Sequence, residues 1–250
     1  MEVLIVGAGS IGRWWAQLLG DVDVTFADID PDRAAEAAER CGSRTVSLEA
    51  DRRFDVVSVA VPMSVAEDAI ERHGRKASRA LIDLSGSMET PLQAMSRVGA
   101  DLERISLHPL FSPANAPGNV AIVAVGGGRV ESFIRQQLAA VGCYLVETTP
   151  EEHDQAMRTV QAKTHAAVLA YALTAEPVPK GFHTPVSDGM MALVEDVLSG
   201  TPEVYAEIQS QFPGADELAR AANELAEASE ADFRRLYERA GSRWEDQPDR

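Results

Sequence analysis

Three glycines, Gly7, Gly9 and Gly12, lie between an apolar run ending at Val6 and a helical pattern beginning at Ile11, in the segment VGAGSIG. A strand that turns sharply into a helix uses glycines at this spacing. The missing side chains expose backbone N–H groups at the helix start, where a pyrophosphate can bind. Three glycines alone would serve a plain tight turn equally well. The second strand candidate, however, runs up to Asp28, and a carboxylate there can accept both ribose hydroxyls of an adenosine and repel a 2′-phosphate. Asp30 and Asp32 follow, and no base stands close after Asp28 until Arg33. NAD is therefore favoured over NADP, with Arg33 and Arg13 the residues able to reach a phosphate. The expected cofactor-binding set is Gly7, Ala8, Gly9, Ser10, Ile11, Gly12 and Asp28, joined by Val61 and Pro62 of VAVPMSV at the end of another strand candidate. Pro62 and Met63 serve equally well as a stop signal and a core filler.

The rest of the first half supports a Rossmann-type, doubly wound and mainly parallel sheet. Short β-rich runs (EVLIVG, DVTFADI, DVVSVAVP, ALIDLSG, RISLHPL, VAIVAVGG, CYLVETT) alternate with helical patterns such as residues 11–19, 31–40 and 65–73. After Thr149 the strand signals end. Residues 150–173, 189–198, 203–211 and 215–240 read as helices, with Pro177, Pro179, Gly181 and Pro185 in a loop and SRWEDQPDR as a frayed polar tail. Thr149-Pro150-Glu151-Glu152 supplies a cap, a proline at the first helical position and two acids in the first turn. The expected division is a cofactor domain over residues 1–148 and an all-helical domain, for substrate binding and dimerisation, over 149–250.

Charge narrows the partners. A net charge of −16 over 250 residues disfavours nucleic acid and anionic membranes, which demand clustered cations. The bases are almost all Arg, with only Lys76, Lys163 and Lys180 as lysines, a balance that suits either a salty cytoplasm or GC-rich codon usage. Nothing resembling a leader precedes the first strand and no apolar run is long enough to span a membrane, so a cytosolic location is expected. Cys41 and Cys143 stand apart without metal-ligand spacing and read as small buried apolar side chains.

The chemistry-bearing candidate is His108 in SLHPLFSP, just beyond a strand candidate at the sheet edge where ligands of doubly wound folds collect. A neutral imidazole there can take a hydroxyl proton while hydride leaves. A lone histidine before proline is as readily a turn residue.

Four blocks together resemble the prephenate and arogenate dehydrogenases of tyrosine biosynthesis: VGAGSIG, VAVPMSV, LIDLSGSMETPLQAM with SLHPLFSP, and EEHDQAMRTVQAKTHAAVLAYAL. The resemblance spans most of the chain. It implies oxidative decarboxylation, with NAD taking hydride from the ring carbon that bears the hydroxyl and carbon dioxide leaving as the ring becomes aromatic. It also implies that His108 is the base that binds that hydroxyl, and that Gln161 and His165 contact substrate.

His153, Met157, Gln161 and His165 recur every four residues and form a slowly rotating stripe on one helix, in which His153 reads as part of the helix start. The chain departs from the family where Ser and Lys usually follow the aspartate of the third block, having Gly86 and Met88. Ser85 and Ser87 flank that gap as substitute hydroxyls or as ordinary turn serines. Asp188 stands near the family's carboxylate-binding arginine, leaving Lys180, Arg158 or a partner subunit's arginine to supply the cation. Arogenate, another small hydroxy acid, or a regulatory role with NAD bound and catalysis lost are the alternatives. A homodimer through the thin helical domain is expected.

Overall fold

The computed structural model describes residues 1–245. The last five residues of the expected polar tail lie outside the described residues, and the part of it up to Glu245 is helical.

The first unit covers Met1–Ala156. Its elements are β1 (Glu2–Val6), α1 (Ser10–Leu18), β2 (Asp23–Ala27), α2 (Pro31–Cys41), β3 (Arg44–Thr45), β4 (Phe54–Val59), α3 (Met63–His73), β5 (Ala77–Asp83), α4 (Glu89–Val98), β6 (Glu103–Pro109), β7 (Asn119–Val125), α5 (Arg129–Ala140) and β8 (Tyr144–Glu147), followed by the start of α6 (Pro150–Met157). The strands form one sheet in the order β3-β2-β1-β4-β5-β6-β7-β8, parallel throughout except for the antiparallel pair β6–β7. Only β3 went unforeseen, because two residues carry no periodic signal.

Helices cover both faces, so the inner strands are apolar on both sides rather than alternating. In β1, Val3 and Ile5 point into a core with Trp15, Phe26 and Leu138, while Leu4 and Val6 point into the opposite core with Val57, Ile70, Leu81 and Met95. The strand order reverses between β1 and β4, which opens a crevice at the carboxyl ends of these two strands. His108 lies inside β6, opposite Ala121 of β7, and not beyond the strand. Pairing with β7 extends the ladder through Pro109.

The division falls within the helix that starts at Pro150 rather than before it. Thr149 caps that helix reciprocally, its Oγ1 accepting from the Glu152 N–H at 3.2 Å while the Glu152 carboxylate accepts from the Thr149 N–H at 3.2 Å.

The second unit, from Met157, contains a π-wound turn over Arg158–Lys163, then α7 (Thr164–Thr174), α8 (Pro185–Leu198), α9 (Pro202–Gln211), α10 (Ala215–Glu227) and α11 (Glu230–Glu245). No strand among the described residues follows Glu147. Three details differ from the sequence reading. Pro185 opens α8 instead of lying in the loop, because Thr184 and Ser187 make a capping box there. The pattern over 215–240 is two helices, since Ala228 is extended and Ser229 restarts the chain by accepting from the Asp232 N–H. The π turn takes more residues per turn than an α-helix, so a four-residue repeat no longer drifts steadily around the axis. No helix among the described residues is long and apolar enough to cross a membrane.

Candidate active site

The glycine turn is built by close approach. Gly7 has φ +103°, and a Cβ on it would stand 2.2 Å from the Ala60 carbonyl oxygen, while a Cβ on Gly12 would stand 2.1 Å from the Gly7 oxygen. Only glycine permits the ends of β1 and β4 to meet α1 this closely. Gly9 faces open space, and α1 begins with no side-chain cap and no acid in its first turn. Its first N–H groups are thus available to an anion. The Asp28 carboxylate is held by the Ala8 N–H at 2.8 Å and the Asp30 N–H at 2.9 Å, which aims it at this turn. Arg33 stands 4.0 Å from Asp28, and Arg13 donates to the Ala8 carbonyl at 2.9 Å. Val61 packs at the Gly7 position and Pro62 precedes α3. An open glycine cradle, uncapped N–H groups and an anchored acid fit the pyrophosphate and adenosine ribose of a dinucleotide.

Two strands over from β4, at the same carboxyl edge and about 10 Å away by strand spacing, lies His108. It is buried, and its Nδ1 lies 2.9 Å from Nε2 of His153 with the rings edge to face. His153 Nδ1 lies 2.7 Å from Asp154 Oδ1. Asp154 in turn accepts from the N–H groups of Met88, at 3.1 Å, and Glu89, at 3.3 Å, and so caps α4. His153 therefore does more than start a helix: its ring and the adjacent carboxylate tie α6 to β6 and α4. Burial above all, with His153 adding to it and Asp154 opposing, pushes the His108 imidazole down to about 3. It is neutral at neutral pH. Beyond the strand, Phe111 meets Trp14 of α1 edge-on at 5.6 Å, which holds the loop after His108 against the cofactor helix.

The segment after β5 is interior. Burial raises Asp83 to about 7 against the lowering effect of its hydrogen bonds from the Ser85 N–H (3.1 Å) and Ser106 Oγ (2.9 Å). Ser85 and Ser87 are both buried, and Ser85 Oγ donates to the Ser87 carbonyl at 3.3 Å. Gly86 has a physical reason: a Cβ there would stand 2.8 Å from Met63 Sδ, so the Met63 thioether occupies the room a serine side chain would need. Met88 is fully buried beside Ala121 and Val123, where an ammonium would have no solvent.

In the second unit, His165 packs edge-on to Tyr205 at 4.8 Å, with burial lowering its pKa, and its Nδ1 has no hydrogen-bond partner among the described residues. Gln161 lies in the π turn, whose Ala162 carbonyl accepts from Gln209 Nε2 at 2.8 Å. Of the cations offered for a substrate carboxylate, Arg158 donates to the Pro213 carbonyl and to Glu217, which also binds Lys163. Lys180 is exposed and makes no ion pair among the described residues. Asp188 pairs with His183 at 2.9 Å. Sequence reasoning missed Asp154, Ser106 and the Met63–Gly86 contact. Only the adjacent His-Asp of EEHD carried a signal.

Residues 16–123 match the family described as "Prephenate dehydrogenase, nucleotide-binding domain". A 4-amino-4-deoxyprephenate dehydrogenase from Streptomyces pristinaespiralis is 31% identical over 233 residues, covering 85% of this chain and 78% of that protein. The chain spans about half the length of other curated relatives, 52% and 55% in two of them. The fold is similar to that of the prephenate dehydrogenase from Aquifex aeolicus, solved with hydroxyphenyl propionate and NAD+ (TM-score 0.72, 18% identity, 99% of this chain and 98% of that one). It is also similar to that of Synechocystis arogenate dehydrogenase (TM-score 0.62, 16% identity, 98% and 99%).

Proposed function

The chain belongs to the prephenate and arogenate dehydrogenase family, and from that membership we propose that it catalyses the NAD-dependent oxidative decarboxylation of prephenate to 4-hydroxyphenylpyruvate in tyrosine biosynthesis. The observation that carries this reading is a buried, neutral His108 on the same sheet edge as the glycine cradle. NAD, when bound at Gly7 to Gly12 and Asp28, supplies the hydride acceptor. His108 Nε2 accepts the hydrogen bond of the ring hydroxyl and takes its proton as hydride departs from the carbon beneath it. The bond to the ring carboxylate then breaks, carbon dioxide leaves, its electron pair completes the aromatic ring, and the proton returns to the phenolic oxygen. Positioning and proton handling are the protein's share, because aromatisation supplies the driving force.

The first unit is the cofactor domain. The helical unit is the substrate and dimer domain, and Gln161, His165, Ser85 and Ser87 are the residues proposed to contact substrate. Support for a dimer is the set of large apolar side chains the helical unit leaves exposed, among them Phe182, Val186, Leu198 and Tyr237. NAD is preferred to NADP because Asp28 is anchored towards the cradle by two N–H groups, and a 2′-phosphate would meet its charge.

A second reading is favoured by two observations. The relative with 31% identity is named for 4-amino-4-deoxyprephenate, and no cation replaces the usual lysine at Met88.

Purified protein should be assayed for NADH formation with prephenate, arogenate and 4-amino-4-deoxyprephenate. Highest kcat/KM with prephenate supports the first reading and highest with the amino substrate the second. Turnover of none of them, with NAD still bound, would favour a regulatory protein.

A further inference from the structure

We propose that His153 and Asp154 are positioning residues which fix the tautomer of His108, so that Nδ1 carries its proton and Nε2 is the basic nitrogen. The inference rests on the assignment of His108 as the base and deepens it.

With both histidines neutral, the chain of hydrogen bonds has one consistent reading. Asp154 is a carboxylate that also accepts the N–H groups of Met88 and Glu89, so it presents only acceptors to His153. Nδ1 of His153 must therefore be the N–H donor at 2.7 Å. A neutral His153 then has its lone pair on Nε2, 2.9 Å from His108 Nδ1, which must be the donor in that contact. A neutral imidazole carries one proton, so Nε2 of His108 is left basic. The wrong tautomer would place a proton where the substrate proton has to go.

The same chain serves the step itself. When Nε2 takes the hydroxyl proton, the imidazolium of His108 is bonded through Nδ1–H to His153, and Asp154 faces the resulting charge. Of the ionisable groups around the pair, Asp154 on α6 acts both on His108, where it opposes the effect of burial, and on Asp83 of β5, which it helps to raise. The supports are rigid: His108 is in a paired strand, and Asp154 is fastened to the first N–H groups of α4.

The test combines spectroscopy with kinetics on the full chain. Long-range 1H–15N correlation spectra of protein labelled at its five histidines should show His108 protonated at Nδ1 and bare at Nε2 near neutral pH. His153→Leu removes the acceptor and should lower kcat on the order of a hundredfold, with NAD affinity and KM little changed. His153→Gln keeps an oxygen acceptor near the Nε2 position, and should retain the His108 tautomer and recover most of the lost kcat. A wild-type His108 protonated at Nε2, an imidazolium at His153, or equal losses in the Leu and Gln variants would overturn the proposal. The spectra need no substrate, so a failed substrate assignment leaves the tautomer result standing, and the reverse holds too.

Discussion

His108 and Asp83 are displaced from their ordinary ionisation in opposite directions by the same cause, loss of water around each. For His108 the charged form is disfavoured, so the acidic limb of kcat/KM in the free enzyme should lie well below the usual histidine value of about 6.5. A limb at ordinary histidine pH would contradict this. The folded state also binds fewer protons at His108 than the unfolded chain does below that value, so this group costs stability as pH falls from about 6.5 towards 3. Asp83 acts the other way: its folded form stays protonated up to about 7, far above the ordinary aspartate range, so stability falls as pH rises through that window. The unfolding free energy of wild type relative to Asp83→Asn should therefore drop by up to about 1.4 kcal/mol per pH unit between pH 4 and 7. Denaturant titrations at several pH values measure it, and a flat difference would contradict the raised pKa. At this scale His108→Asn should lower kcat by about 10² to 10⁴ with NAD affinity nearly intact, and equal loss of both would make the histidine structural. The local segment SLHPLFSP alone left His108 open between base and turn. Its hydrogen-bond partner is a residue 45 positions away, His153, whose contact no local pattern could disclose.

Among the elements, the ends of β4 and β5 are matched to one another through Met63 and Gly86. Gly86→Ser should cost about 1 kcal/mol or less, because the flexible end of the Met63 side chain can move aside, and Met63→Ala combined with it should cost less than the sum of the two single changes. Urea unfolding of the four proteins checks this, and strict additivity would mean the residues do not compete for the same space. Strands and sheet-flanking helices were legible because buried parallel strands write continuous apolar runs and their helices write a helical period. The antiparallel turn-back of β7 and the π turn at Arg158–Lys163 were not, since strand direction and extra helical winding leave apolar spacing almost unchanged. The break between α10 and α11 was hidden for a related reason: Ala228 and Ser229 are ordinary helix residues, and only the Ser229–Asp232 cap ends the pattern.

For the whole molecule, the helical unit buries only a few large side chains, such as Met157, Val168, Ile208 and Phe212, while many others are exposed. A second copy covering that surface should give a dimer in sedimentation at micromolar concentration, and a monomer would remove the idea. Family, fold and cofactor class were readable because glycine spacing and the four sequence blocks survive as strings. The cation for the substrate carboxylate was not: Met88 is core, Arg158 is engaged by Glu217, and Asp188 is paired with His183. In the proposed reaction, oxidation is coupled to decarboxylation. This coupling is tested most directly by measuring carbon dioxide and NADH released together from prephenate and NAD. One carbon dioxide for each NADH is the predicted result; NADH formed without carbon dioxide would contradict it.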